Sequence, residues 1–200
     1  MIVRILIIVV VLIAGVLAVS ATRPDIIRIQ RSIEIGAPPE KIFALINNFH
    51  NWNHWAPQDT EDPTLKRTYS GAESGEGAVS EWIGTGSSGR GRMSIIKSEL
   101  PTNISVMTDW EKPFAAHNLN EFTLEPNGAT TKVTWTMQGT NVYVMKLMSI
   151  FTNMDRFMGK HFENGLTNLK AAAENKWAMP TTTQPTTSSV DQDNPEAHLQ

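Results

Sequence analysis

Apolar positions follow three regimes along the chain. From Ile5 to Ala21 the run ILIIVVVLIAGVLAVSA carries no charge, with Arg4 alone before it. Ile27, Ile29, Ile33 and Ile35 then alternate with polar residues, the period of a half-buried strand. Gly36-Ala37-Pro38-Pro39 breaks that strand, and Ile42, Phe43, Leu45 and Ile46 form one apolar helical face behind Pro39-Glu40. The aromatic segment FHNWNHWAP, Phe49 to Pro57, predicts a second helical turn against the first. From Leu65 the helical period disappears, and strands are predicted near 65–69, 78–84, 90–99, 103–110, 117–125 and 130–139. Pro126-Asn127-Gly128 is the clearest hairpin turn. Helical spacing returns over 141–176, where Leu147, Ile150, Phe151, Met158, Phe162, Leu166 and Leu169 recur at three and four, predicting one long helix broken or bent in its first turns.

This order predicts an α+β fold. A curved, seven-stranded antiparallel sheet must cover its apolar face, and the long C-terminal helix is the only element large enough to do so. A sheet gripping a helix in this way leaves an apolar cavity between them.

The first regime divides the 200 residues into unequal parts. The uncharged run lies at the short end of what spans a bilayer, roughly 17–25 residues. Residues 1–23 are therefore read as an N-terminal transmembrane anchor in a single-pass protein of the cell membrane. A signal peptide is the competing reading, with Arg4 as its basic region and Val19-Ser20-Ala21 as its cleavage site. Arg23, Arg28 and Arg31 after the span favour a cytoplasmic domain, whereas Arg4 before it pulls the other way, so the side stays open. Residues 24–178 form the folded domain. Residues 179–200, rich in Thr, Ser, Gln and Pro, are read as a disordered polar tail.

Charge and composition mainly exclude. Taking Arg4 from the 17 basic residues, and Asp191, Asp193 and Glu196 from the 20 acidic ones, leaves the middle segment at a formal −1. That is no footprint for nucleic acid. With no cysteine there is no disulfide, thiolate metal site or thiol nucleophile. Gly84, Gly86 and Gly89 spell G-x-G-x-x-G, but a strand follows instead of the helix that a dinucleotide fingerprint needs, so a flexible hairpin is expected, placed to act as a lid. His50 and His54 stand four apart near Asp59, Glu61 and Asp62, yet Asn51 occupies the place of the zincin glutamate. Neither a metal nor a cofactor is expected.

Candidate ligand contacts come from the aromatic and methionine residues of the strands and long helix: Trp82, Met93, Met107, Trp110, Phe122, Trp135, Met154, Met158 and His161. Methionine is soft and polarizable, which suits a variable apolar ligand. Acid–base chemistry would draw on Glu81, Asp109, His117, Glu121 or His161, of which strand alternation alone places none inside.

Several segments together resemble a known family. They are Ile33-Glu34-Ile35, Ala37-Pro38-Pro39-Glu40 through Phe43, Asn51-Trp52-Asn53-His54-Trp55-Ala56-Pro57, Gly75-Glu76-Gly77, Thr130 to Trp135, and Met158 to Lys170. Over about 26–176 the chain resembles the polyketide cyclase/dehydrase and lipid-transport family of the START-like, SRPBCC helix-grip superfamily. The resemblance implies a hydrophobic cavity for lipids, polyketides or other apolar molecules. It maps no catalytic set onto this chain. The first expectation is therefore a membrane-anchored domain binding a hydrophobic small molecule or lipid. The alternatives are a cyclase- or dehydratase-like enzyme on an apolar substrate and a non-catalytic stress or interaction module. The oligomeric state is open.

Overall fold

A computed structural model describes residues 2–58, 62, 64–85, 88–141, 143–151 and 153–174, without the side chains of Phe151 and Met154. The polar tail expected at 179–200 lies outside the described residues. Helix α1, Ile2–Ala21, carries exposed aliphatic side chains along its length. Strand β1, Ile26–Ile35, follows, then helix α2, Pro39–Ile46, and a 3₁₀ helix, Phe49–His54. Six strands come next: β2 Lys66–Gly71, β3 Ala78–Ile83, β4 Arg90–Glu99, β5 Asn103–Lys112, β6 Ala116–Asn127 and β7 Thr130–Thr140. Helices α3, Tyr143–Phe151, and α4, Met154–Glu174, complete the order. All strand pairs are antiparallel, and the sheet runs β1-β7-β6-β5-β4-β3-β2.

The predicted bend in the C-terminal helix is a break between α3 and α4. Asn153 supplies the reason: its side chain accepts from the Arg156 backbone N–H at 3.0 Å, and its carbonyl accepts from Phe157 N–H at 3.0 Å. A capping asparagine starts a new helix instead of continuing the old one.

Helix α2 begins with Pro39, whose fixed φ suits the first helical position. Its far end leaves carbonyls without helical partners, and two indoles take them. Trp52 Nε1 donates to Ile46 O at 2.8 Å and Trp55 Nε1 to Leu45 O at 3.1 Å, so both rings bury without stranding a donor. Trp55 then meets Phe122 and Trp135 edge-on, with centroids 6.0 and 6.1 Å away. On the opposite side Trp135 stacks on Phe162 of α4, with centroids 4.2 Å apart and planes 2° from parallel.

Helix α4 runs alongside β1 in the same direction. Arg31 reaches Asp155 at 3.0 Å and Glu163 at 2.8 Å, Lys170 donates to Glu34 O at 2.7 Å, and Gly36 N–H donates to Glu174 at 2.7 Å. The N-terminus of α4 therefore lies at the Ile26 end of the sheet.

Two glycines fix how closely the helix sits. A Cβ at Gly165 would come within 2.9 Å of the Trp135 ring and 3.0 Å of Pro57, both rigid. A Cβ at Gly159 would meet only the end of the flexible Arg31 side chain. Alanine gains about 1 kcal/mol of helix propensity at either place. At Gly165 overpacking of about 1–3 kcal/mol outweighs that gain. At Gly159 the loss is confined to the ion pairs of Arg31 with the exposed carboxylates of Asp155 and Glu163, about 0–1 kcal/mol. Gly165→Ala is thus expected to lower the thermal midpoint, while Gly159→Ala leaves it within a degree or so of wild type. Parallel melts of the two variants check this, and equal effects would refute the packing account.

Candidate functional site

Strand register defines which side chains share the face turned toward α4. Far from the Ile26 end this face is apolar and closed: Trp135 pairs with Phe122, Val133 with Leu124, and Phe122 with Ile104, all buried. Toward the Ile26 end its character changes. One cross-strand row reads Ile27, Gly139, Asn118, Thr108, Met93, Ser80 and Tyr69. The next reads Ala116, Trp110, Gly91, Trp82 and Arg67.

Glycines in these rows let neighbouring side chains lie flat. The Trp82 ring occupies the place of a Gly91 side chain, where a Cβ would sit 2.4 Å from it, and Asn118 similarly lies across Gly139. Trp82 Nε1 donates to Ser88 O at 2.9 Å, and its ring meets Trp110 edge-on at 4.9 Å. Below them runs a buried polar chain: Trp135 Nε1 donates to Asn120 Oδ1, and Asn120 Nδ2 donates to Thr108 Oγ1, each at 3.0 Å. Exposure grades along this face. Trp82, Met93, Thr108 and Asn120 are buried, while Trp110, Asn118, Gly139 and, on α4, Met158 and His161 are half-buried. The arrangement is an apolar aromatic floor, a satisfied polar layer and a mixed rim.

The sequence-predicted ligand residues divide accordingly. Trp82, Met93 and Trp110 lie on this face near the Ile26 end, with Met158 and His161 on the facing helix. Phe122 and Trp135 belong to the closed floor. Met107 needs correcting: it pairs with Leu119 and Ser94 on the opposite face, because Ile104, Val106 and Trp110 set the inward parity of β5. The side chain of Met154 lies outside the described residues. Alternation from Val106 and from Phe122 would have found Thr108, Asn118 and Asn120, none of which the aromatic and methionine pattern singled out.

Glu81, Asp109, His117 and Glu121 share the outward parity. His117 Nδ1 and the Asp109 carboxylate stand 2.6 Å apart there, with His117 74% exposed, which is an ordinary surface pair. Of the proposed proton carriers, His161 alone stands near the inner face. Among the described residues no group of three His, Cys, Asp or Glu side chains is placed to hold a metal. Asp59 and Glu61 lie outside those residues. His50 stacks on Tyr69 at 3.9 Å. An open groove of about 190 Å³ lies beside that pair, around the β2–β3 turn, lined also by Phe49, Ala72, Glu73 and Val79. It is smaller than the roughly 300–1,000 Å³ typical of small-molecule sites.

The G-x-G-x-x-G segment is a β3–β4 hairpin in which Gly84 N–H donates to Gly89 O at 2.8 Å, and a strand follows it. Its residues 86–87 lie outside the described ones. Asp62 ties this hairpin to the segment before β2. The carboxylate accepts from the Thr64 hydroxyl at 2.6 Å, from Thr64 N–H at 2.9 Å and from Thr85 N–H at 3.1 Å, with the Ser88 hydroxyl also bonded to it. These donors, the Thr64 hydroxyl first, lower its pKa from 3.8 to about 2.

The architecture, a curved antiparallel sheet with a long C-terminal helix laid along it, defines a helix-grip protein. Residues 27–174 match the family described as polyketide cyclase / dehydrase and lipid transport, and the chain belongs to that family. Similar solved structures include a protein from Nitrosospira multiformis, 20% identical at a TM-score of 0.54, covering 74% of this chain and 97% of the other. A hypothetical protein from Helicobacter pylori reaches a TM-score of 0.57 at 7% identity, over 74% of this chain and 88% of its own. The Aha1 dimer from Colwellia psychrerythraea gives 0.52 at 18% identity, over 74% and 97%. At such identities the likeness is one of fold. No curated protein matches the chain in sequence.

Because the folded pKa of Asp62 is depressed, its contribution to stability is complete above the ordinary 3.8 and is lost as pH falls toward about 2. The melting-temperature gap between wild type and Asp62→Asn is expected to be constant near neutral pH and to close across that acid window. A gap that persists unchanged at pH 2 would rule out the carboxylate as the cause.

Proposed function

We propose that the chain is a membrane-tethered binding protein that takes an apolar or amphiphilic small molecule, such as a lipid, between the sheet and α4. The observation that carries this reading is the graded inner face. A core built only for stability has no use for Asn118, Ser80 and Arg67 on its inward parity, whereas a site for an amphiphile needs apolar walls with a few placed polar groups. Trp82, Met93, Trp110, Met158 and His161 supply the wall and rim. The family's lipid-transport members are consistent with such a ligand.

Binding is favoured over catalysis by the same register. Four of the five candidate proton carriers, Glu81, Asp109, His117 and Glu121, share the outer face, so the two converging groups that acid–base chemistry requires are not brought together. The tether is helix α1, which is long and apolar enough to cross a membrane by length and composition. Residues 1–23 serve as the anchor and 24–178 as the binding domain.

Native mass spectrometry of the full chain released from detergent micelles tests this reading. A bound apolar adduct of defined mass, or saturable retention of an added fatty acid or isoprenoid alcohol, is the expected result. Trp110→Ala is expected to weaken retention about tenfold or more, from the loss of roughly 1.5–3 kcal/mol of aromatic burial. Bare protein that retains none of these compounds would sink the proposal.

A further inference from the structure

Strand direction gathers several features at one end of the sheet. There β1 begins, β7 ends against it (Ile26 opposite Thr140), and β5 turns into β6. There too β3 turns into β4, β2 begins opposite Ile83, and α4 has its N-terminus. This is the end toward which the graded inner face opens. Outside α1, ten large apolar side chains are exposed among the described residues. Seven of the ten are here: Ile26, Ile83, Phe114, Tyr143, Val144, Met148 and Phe157, the last 71% exposed. Scattered exposed apolar residues are ordinary, but a cluster marks an interaction surface.

Charge is sorted the same way. Exposed Arg23, Arg28, Lys66, Arg90, Arg92, Lys112 and Arg156 lie at this end, against exposed Asp25, Glu81, Glu111 and Asp155. The opposite end presents Glu34, Glu40, Glu73, Glu76, Glu99, Glu125 and Glu174 against exposed Lys97 and Lys132, with Lys97, Lys132 and Lys170 paired to Glu99, Glu125 and Glu174, so it stays net acidic. The near-neutral domain is therefore a charge dipole whose positive end coincides with the apolar cluster.

Helix α1 leaves from this same end, on a short and pinned connection. Four residues separate Ala21 from Ile26, a Cα–Cα span of at most about 17 Å fully extended. The Ser20 hydroxyl donates to Tyr143 Oη at 2.9 Å, Lys146 pairs with Asp25, and Asn141 donates to Pro24 O at 2.9 Å. These contacts fasten α3 to the end of α1.

We propose that this end of the domain lies against the surface of the bilayer that α1 crosses, with α3 and the exposed side chains Phe114 and Phe157 inserted at the headgroup level, so that the binding site opens onto lipid. The inference rests on the anchor reading above. An aromatic and aliphatic rim ringed by Lys and Arg is the pattern of an interfacial surface, because apolar side chains enter the headgroup layer while basic ones meet anionic lipid. A tethered domain whose far end faced the membrane would instead present its glutamates to the phosphates.

The chain has no cysteine, so single-cysteine variants can be labelled cleanly with an environment-sensitive fluorophore. Full-length Phe114→Cys, Val144→Cys and Phe157→Cys are reconstituted in vesicles of anionic and zwitterionic lipid, with Leu12→Cys in α1 and Leu100→Cys at the opposite end as references. Lipid-borne quenchers placed near the headgroups are expected to quench positions 114, 144 and 157 several-fold more than position 100, and more so in anionic vesicles. Deep quenchers should reach position 12. Quenching at 12 with water-like emission at 114, 144 and 157 would overturn the docking while leaving the anchor intact. Absence of quenching at 12 would overturn the anchor and the docking together. Blue-shifted labels at the rim that ignore lipid quenchers but respond to protein concentration would assign the surface to a second copy of the chain, against the proposal.

Discussion

The stack of Phe162 on Trp135 sets the position of the whole C-terminal helix. Each side of the indole is held by a different element: Phe162 on its face, Trp55 and Phe122 around it, and Asn120 on its Nε1. A ring constrained on so many sides cannot tilt to accept a displaced helix. Planes only 2° from parallel then require α4 to approach closely, and Gly165 makes that approach sterically possible. The helix consequently packs chiefly along β1, with lesser contact to β7, α2 and the 3₁₀ helix. Everything on the far side of the sheet has to be covered by other means.

Those other means are visible in β3 to β5. Trp82 lies across Gly91, Trp110 meets its edge, and the Asp62-bound hairpin takes the Trp82 indole N–H through Ser88 O. Side chains and loops thus do on this half what a helix does on the other. The difference matters energetically. A helix brings its own satisfied backbone to a buried face, whereas loops bring polar groups that need partners. Asp62, Ser88 and Thr64 are such partners, and their presence explains why polar residues collect at this end without being stranded.

Local pattern made the strands, α2 and the helical C-terminus legible, because each is written in a period of two or 3.6 within its own segment. The break at Asn153 was partly legible, as an asparagine two residues ahead of an acidic residue. Counting methionines failed for Met107 because composition ignores parity, and a one-residue step in a strand reverses the face. The inward Asn118, Asn120 and Thr108 were readable by the same parity. What no local reading supplies is the sorting of charge and exposed apolar side chains between the two ends. That depends on which strand termini meet, and it emerges only from the full antiparallel order of seven strands.

That sorting bears on how a tethered helix-grip domain exchanges a ligand. Moving an apolar chain from a bilayer into water costs about 0.8 kcal/mol for each methylene, so a ligand with ten of them faces a barrier of roughly 8 kcal/mol. A domain whose mouth opens to water leaves that barrier in place however tightly it binds. A mouth held at the headgroups removes most of it, because apolar surface passes from lipid to protein without full hydration. The four-residue connection and the contacts of Ser20, Asp25 and Pro24 with the α3 region leave little freedom for another orientation. On this reading the anchor orients the mouth toward lipid as well as raising the local concentration of ligand. On the same reading, the buried layer of Trp135, Asn120 and Thr108, bonded to one another, marks the depth at which the apolar wall gives way to polar groups.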